Sequence, residues 1–580
     1  MQVKKRDRIA LLVAGTIAAG TVLRLWGIGF GLPMTFCGPD EARVIQLVWG
    51  FGRGDLNPHL FHYPTFYLYI LFALSSLYYA FGRTTGMFTR TDFIASYTLD
   101  PSPLYLIGRG FTALTGILTI YLVYELGRRA YSRSAGVLAA AFTAFAFLHV
   151  RDSHLAKMDI TLVFWIVLAY LFILRVAGEG RRSDAILAGL FVGLAASTKY
   201  NAFLMAIPLT LSHLLGLRDR RTTWKALLPD LCLSGLAALL AFLATSPFTL
   251  LDFNAFIRDF RYDIVAIRGA QAQFAYLGPG WVHHARFTLP YSLGLPLYGL
   301  SLAGLLCALW RRRTPDLLLL SFCLPYYAVA GSGWLVFTRY LLPILPILCL
   351  FGARVLEEGA ARLRPGRGPV IAGGMAFLCI LDPAYRAIRC DQILSQRDTR
   401  LLAAEWVAAH IPSGTKVALG GSVWARPNLL ESPEVLEDRL RAIRQAGGGG
   451  DAIQTLLTSP RYRARPSYFV VAINDSISPL WGGGPAIPDR HIDRLLTERV
   501  DYLVVSTHPH LKHYGTLEPG LADFLKRHPM TPLAAFSPTD GQEGGPPPVF
   551  DPIDAFFVPL ARFGDTVRPG PYIHIYRLSP

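Results

Sequence analysis

Long apolar runs recur along the first two thirds of the chain, separated by short polar connections, and the last third lacks them. A helix needs roughly 20 apolar residues to cross the hydrocarbon of a bilayer. By that measure spans are predicted at 8–30, 104–127, 135–151, 158–177, 184–199, 200–216, 226–247, 285–310, 315–332, 338–354 and 369–388. The two runs meeting near Lys199 are short and read as helices that end at one membrane face. A further run, HYPTFYLYILFALSSLYYAFGR (62–83), is also apolar enough to span. Counting it as a span would invert every later connection, so it is predicted as an interfacial or re-entrant helix within a first outer loop, 31–103. Its tyrosines suit the headgroup level.

The pattern changes near residue 390. DTRLLAAEWVAAHIPSGTKVALGG reads as a helix, a Pro–Gly turn and a strand. SYFVVAIN (467–474), DYLVVSTH (501–508) and YIHIYRL (572–578) are strand-like, and LADFLKRHP (521–529) is helical. The expected fold is therefore a polytopic α-helical membrane protein of about eleven spans (1–389) with a C-terminal soluble α/β domain (390–580).

Composition agrees with the pattern. Of the 580 residues 52% are hydrophobic and only 17% charged, against roughly 25% charged in soluble domains. The net charge of +16 does not point to nucleic acid, because no basic stripe with interleaved aromatics is present. The cations fall instead in short connections: KKRDR at the start, GRRAYSR (127–133), GEGRRSD (178–184), RDRRTTWK (218–225), RRRTP (311–315) and 354–367. With eleven spans these share one side, which the positive-inside rule makes cytoplasmic. The N-terminus is then cytoplasmic and the C-terminal domain extracytoplasmic. Cys37 and Cys390 flank the membrane part and could pair outside, although spacing alone gives little support.

Ionisable groups in or beside spans are costly and are functional candidates by default. On the outer side they come from six segments: Asp40, Glu41 and Arg43; His59 and His62; Arg109; Arg151, Asp152, His154, Lys157 and Asp159; Lys199; Arg339. Each has a plainer reading. Asp40 could cap a helix starting at Glu41, Asp152 could cap a turn, and Arg109 could snorkel to the headgroups. His59 and His62 could anchor an interfacial helix, and Lys199 could bind lipid phosphate. Asp159 opens an apolar helix, where the dipole favours a carboxylate, yet Lys157 nearby suggests an ionic cluster.

Several motifs, in order, resemble integral-membrane glycosyltransferases of the GT-C fold, in particular the protein O-mannosyltransferase-like family that includes bacterial aminoarabinose transferases. PDEA (39–42) is similar to the Asp–Glu motif of that family's first outer loop. HYPTFY (62–67) resembles its His/Lys–Pro–Pro stretch, with Tyr63 in place of the first proline. RGFTALTGILTIYLVYELGRR (109–129) looks like the second helix, and SHLAKMDITLVFW (153–165) like the Ser–Arg…Asp segment, with His154 where mannosyltransferases have Arg. GLAASTKYNAFL (193–204) and FTRYLLPILP (337–346) resemble later motifs. No β-trefoil domain is evident.

The resemblance implies an inverting transfer, of class EC 2.4, from a polyprenyl-phosphate monosaccharide to an acceptor hydroxyl at the outer face of the cytoplasmic membrane. Asp40 would be the catalytic base. Arg109, Lys199 and Arg339 would hold the phosphate, while Glu41, His62, His154 and Asp159 would contact substrate. The chemistry suits those residue types: a carboxylate can take a hydroxyl proton, and cations stabilise an anionic leaving group. A divalent metal has only weak candidate ligands (Glu41, His62 and Asp159), since no closed set shows in the spacing. The acceptor could be a lipid, a glycan or a protein, and membrane lipids are partners throughout. The rivals are a transporter, an envelope-assembly protein and an oligosaccharyltransferase-like enzyme. No inverted repeat supports the first, and no WWD motif supports the last.

Overall fold

The computed structural model describes residues 2–219, 223–269, 274–363, 366–445, 450–473, 486–541, 546–554 and 556–578. Parts of two basic connections (220–222 and 364–365), a glycine run (446–449) and the end of the 467–474 strand fall outside them. The chain divides into two compact units. One comprises Met1–Ile28, Arg43–Leu74 and Ile107–Asp391, the other Gly29–Ala42, Ser75–Leu106 and Gln392–Pro580. The break near residue 390 is thus at 391/392, and two pieces of the expected first outer loop group with the C-terminal region.

The first unit is helical, and among the described residues seven helices, lying wholly or partly in it, are long and apolar enough to cross a membrane: Asp7–Leu25, Ser102–Ala130, Met158–Glu179, Tyr200–Arg218, Trp224–Thr245, Thr338–Leu363 and Gly368–His410, the last continuing into the second unit. An eighth candidate is Gly280–Leu293 with Leu295–Arg311, bent by 118° at Gly294, whose φ of +74° an L side chain rarely adopts. The other three expected spans are the helices Arg133–Phe145, Arg182–Thr198 and Thr314–Ala330, too short to cross alone at 1.5 Å per residue. Each of the eleven predicted ranges therefore overlaps a helix, but only seven or eight are full-length spans. The expected interfacial helix is Phe66–Thr84, which is not among the seven. Tyr67, Leu68 and Leu71 pack with Val44, Val48, Phe51 and Met158, and the Thr65 hydroxyl donates to the Thr245 carbonyl at 2.7 Å.

Helices in lipid associate through close packing at small residues rather than through the hydrophobic effect. Arg182–Thr198 and Trp224–Thr245 show this. A Cβ on Gly189 would lie 2.1 Å from the Ser234 carbonyl oxygen, and one on Gly193 2.2 Å from that of Ala238. The first of these helices ends at Lys199, which has extended backbone.

The second unit holds a six-stranded sheet of β1 (Lys416–Gly420), β2 (Phe469–Ile473), β3 (Ala486–Ile487), β4 (Tyr502–Thr507), β5 (Ala534–Phe536) and β6 (Tyr572–Arg577). Its order is β3-β2-β1-β4-β6-β5. The first four strands are parallel, and β6 runs antiparallel to both β4 and β5. Side chains alternate between two cores, as strand geometry requires. Val417, Leu419 and Val504 pack under the helix Thr399–His410, whereas Ala418, Leu503 and Val505 face Leu521 and Phe524 of Pro519–Arg527. Cys37 and Cys390 form no disulfide.

Candidate functional site

In the membrane unit the chain turns sharply between two helices. Phe147–Asp152 ends in a tight turn, Lys157 is extended, and Met158–Glu179 begins at the next residue. The turn is buried throughout. It is wedged against Ser102–Ala130, where a Cβ on Gly108 would come within 2.7 Å of Ala156. The hydroxyl of Thr112 on the same helix donates to the Lys157 carbonyl at 3.4 Å.

This turn carries charge inward. The Lys199 ammonium, at the C-terminus of Arg182–Thr198, donates to Asp159 Oδ1 at 2.6 Å and lies 5.2 Å from the Tyr340 ring centre. Arg339 stands in the 3-10 stretch Thr338–Ile344, its guanidinium 3.9 Å from the Phe337 ring. Lys157 and Arg339 both lie within electrostatic reach of Asp159. Arg151 donates to Asp152 Oδ2 at 2.9 Å and to the Thr338 hydroxyl at 3.1 Å. Lys157 Nζ is 1% exposed, makes no hydrogen bond, and has Asp152 Oδ1 at 3.7 Å. Within this group four cations face two carboxylates. Taking an ammonium out of water without hydrogen bonds, as for Lys157, is expensive, so a cation-rich group of this kind is an arrangement suited to an anion.

The other predicted residues lie elsewhere. Arg109 is fully buried and donates to the Ile28 carbonyl at 2.8 Å. His154 has the Val150 and Trp26 carbonyl oxygens at 3.0 and 2.9 Å from its two ring nitrogens, with Asp391 at 3.5 Å. Its ring therefore pins the turn to the first span.

His62 sits in a loop clamped onto the helix Phe253–Gly269. Its Nδ1 is 2.7 Å from Asp263 Oδ1, the Phe61 amide donates to Asp259 at 2.9 Å, and Asn57 donates to Asp252 at 2.8 Å. The hydrogen bond to Asp263, aided by the charges of Asp263 and Asp259, raises the His62 pKa above its usual 6.5 against the opposing effect of burial. A raised histidine pKa stabilises the fold fully below 6.5, and that contribution is lost as pH climbs through the raised value. The protection factor of the Phe61 amide, its exchange rate relative to the intrinsic rate at each pH, is therefore expected to fall across that window, and that fall should vanish in Asp263→Asn.

Asp40 and Glu41 belong to the second unit. Asp40 is half-buried with φ +63°, a left-handed conformation that Asp tolerates better than most residues. A helix cap typically has extended backbone instead. Strain of this kind points toward function when it is observed. Glu41 is fully buried in the first turn of Glu41–Phe51, and the Cys37 thiol donates to its Oε2 at 3.8 Å.

Residues 107–249 match the model of the dolichyl-phosphate-mannose-protein mannosyltransferase family. Over these residues, from the second span to the end of Trp224–Thr245, the chain is similar to that family. The matched stretch holds Arg109, the whole buried turn, Asp159 and Lys199, whereas Asp40 and Arg339 lie outside it. Solved structures of similar path include the archaeal oligosaccharyltransferase AglB from Archaeoglobus fulgidus, in complex with an inhibitory peptide and a dolichol-phosphate. It has 15% identity and a TM-score of 0.49, over 87% of this chain and 70% of that one. ArnT from Cupriavidus metallidurans bound to undecaprenyl phosphate has 15% identity and a TM-score of 0.48, over 91% and 96%. The protein O-mannosyltransferase Pmt1-Pmt2 complex of S. cerevisiae, bound to its sugar donor, has 19% identity and a TM-score of 0.33, over 43% and 34%. No curated protein matches the chain by sequence.

Three residues that sequence reasoning did not assign to the site stand out. Arg151 and Lys157 were visible as charges in the turn, and Asp263 lies 201 positions from its partner His62. Among the described residues no three His, Cys, Asp or Glu side chains gather as a metal site. His62 is engaged by Asp263 and Asp159 by Lys199. These side chains do not fit a divalent metal.

Proposed function

We propose that the protein is an inverting glycosyltransferase that moves one monosaccharide from a polyprenyl-phosphate donor to an acceptor hydroxyl at the outer face of the cytoplasmic membrane. The observation that carries this reading is the cluster of buried Lys157, Arg151 and Arg339 with half-buried Lys199 around Asp159 and Asp152, at the ends of membrane helices. An anion reaching that level in a membrane protein is most simply the phosphate of a lipid whose tail stays in the bilayer. The distribution of basic connections supports a cytoplasmic N-terminus and an extracytoplasmic C-terminal domain.

In the proposed reaction the acceptor oxygen attacks the anomeric carbon from the face opposite the phosphate. The new C–O bond forms as the bond to the phosphate oxygen breaks, and a single displacement inverts the anomeric configuration. Asp40 accepts the hydroxyl proton, and its left-handed backbone fits a side chain held for a purpose. The phosphate leaves with the bonding electron pair and gains charge, so the cations bind it more tightly in the transition state than in the donor. That difference, rather than binding itself, accelerates the step. Lys199 and Lys157 are assigned to the phosphate, Asp159 orients Lys199, and His154 pins the turn that presents Lys157 to the first span.

The test is purified protein against a panel of polyprenyl-phosphate monosaccharides. The expected result is release of polyprenyl phosphate from at least one of them with acceptor present. Consumption of pyrophosphate-linked oligosaccharides alone would overturn the reading.

A further inference from the structure

The C-terminal unit contains part of the loop that carries the Asp–Glu pair, and it grips that loop with one side chain. Arg400, 2% exposed in the helix Thr399–His410, lies against Asp398 in a two-point pair, Nε to Oδ1 at 2.9 Å and Nη2 to Oδ2 at 2.7 Å. Its remaining nitrogen, Nη1, donates to two carbonyls at once, that of Phe36 at 2.9 Å and that of Trp424 at 2.6 Å. The guanidinium plane sits 5.0 Å from the Phe557 ring. Phe36 packs edge-on against Trp424 at 5.3 Å and Phe30 against Phe556 at 5.6 Å. The Tyr105 hydroxyl donates to the Thr35 carbonyl at 2.5 Å. The loop folds back on itself, since a Cβ on Gly31 would meet Cys37 at 2.4 Å, and Cys37 is 2% exposed.

The place of this grip in the sheet is informative. In open parallel sheets the crevice at the carboxyl ends of the strands, where strand order reverses, is the usual ligand site. Here the order reverses between β1 and β4. Trp424 and Ala425 follow the end of β1, Leu511 follows β4, and all three pack with Phe550 and Phe557. That edge of the sheet holds the chain's own first loop.

We infer that the C-terminal unit sets the conformation of the segment carrying Asp40 and Glu41, with Arg400 as its positioning residue, an inference that rests on Asp40 being the base. A lysine at 400 keeps the charge but lacks the fixed fork of donors that serves Asp398 and both carbonyls together. The test uses full-length protein and two readouts: alkylation of Cys37 by N-ethylmaleimide, followed by peptide mass spectrometry, and kcat with KM for the lipid donor. Arg400→Lys is expected to expose Cys37 and to lower kcat by about 10²-fold, the scale of a misplacement near 1 Å, with donor KM unchanged. Trp424→Leu, which leaves the Arg400–Asp398 pair in place, is expected to move both readouts the same way by less. Cys37 staying protected in both variants would overturn the inference, whatever the turnover. Cys37 exposed with turnover unchanged would overturn Asp40 as the base instead.

Discussion

Asp40→Asn is expected to lower kcat by about 10²–10⁴-fold, the range a positioned general base supplies, with the protein folded and inserted as before. Asparagine is the right replacement because it tolerates the left-handed backbone of Asp40 (φ +63°) nearly as well as aspartate does. Alanine would add backbone strain to the loss of the carboxylate. The check is single-turnover kinetics beside a thermal unfolding profile. Normal turnover in the asparagine variant would remove Asp40 from the chemistry.

The second large effect separates two lysines of one cluster. Lys199 is bonded to the nearly buried Asp159, so Lys199→Met leaves a buried carboxylate without its partner. Breaking such a pair costs about 3–5 kcal/mol, and stability and turnover should fall together. Lys157 makes no hydrogen bond while being 1% exposed. Lys157→Met removes a desolvated charge whose neighbour Asp152 keeps its pair with Arg151, so it should cost clearly less stability than Lys199→Met. Turnover should still fall by about 10²–10³-fold, the scale of one lost donor to a developing negative charge. Thermal unfolding and donor turnover on the two variants check the contrast. Loss of stability in Lys157→Met with normal turnover would assign Lys157 to structure alone.

The helical membrane part and the α/β character of the tail were legible because hydropathy and period-2 alternation are local signals. All eleven apolar ranges overlap helices, and the strands at 469–473, 502–507 and 572–577 were foreseen within a residue or two. Helix length was not legible. The apolar run after Ser132 breaks at Ala146 and that after Gly280 at Gly294, backbone events the hydropathy does not register. Of the site, the association of Asp159, Lys199 and Arg339 was anticipated from motif order. The partners of His62 were not, because a loop at 55–62 and a helix at 253–269 share no sequence signal. The conformation of Asp40 was hidden for a related reason: no glycine marks the left-handed position, and an Asp ahead of a helix reads as a cap. The grouping of 29–42 with the C-terminal unit depends on contacts such as Arg400 to Phe36, 364 positions apart.

The central claim is a single displacement at a lipid-linked monosaccharide. Its most direct measurement is the anomeric configuration of the product formed by purified protein from a polyprenyl-phosphate sugar of known anomer, read by NMR with released polyprenyl phosphate counted in parallel. The account predicts one polyprenyl phosphate per transfer and the opposite anomer in the product. Retained configuration would contradict it.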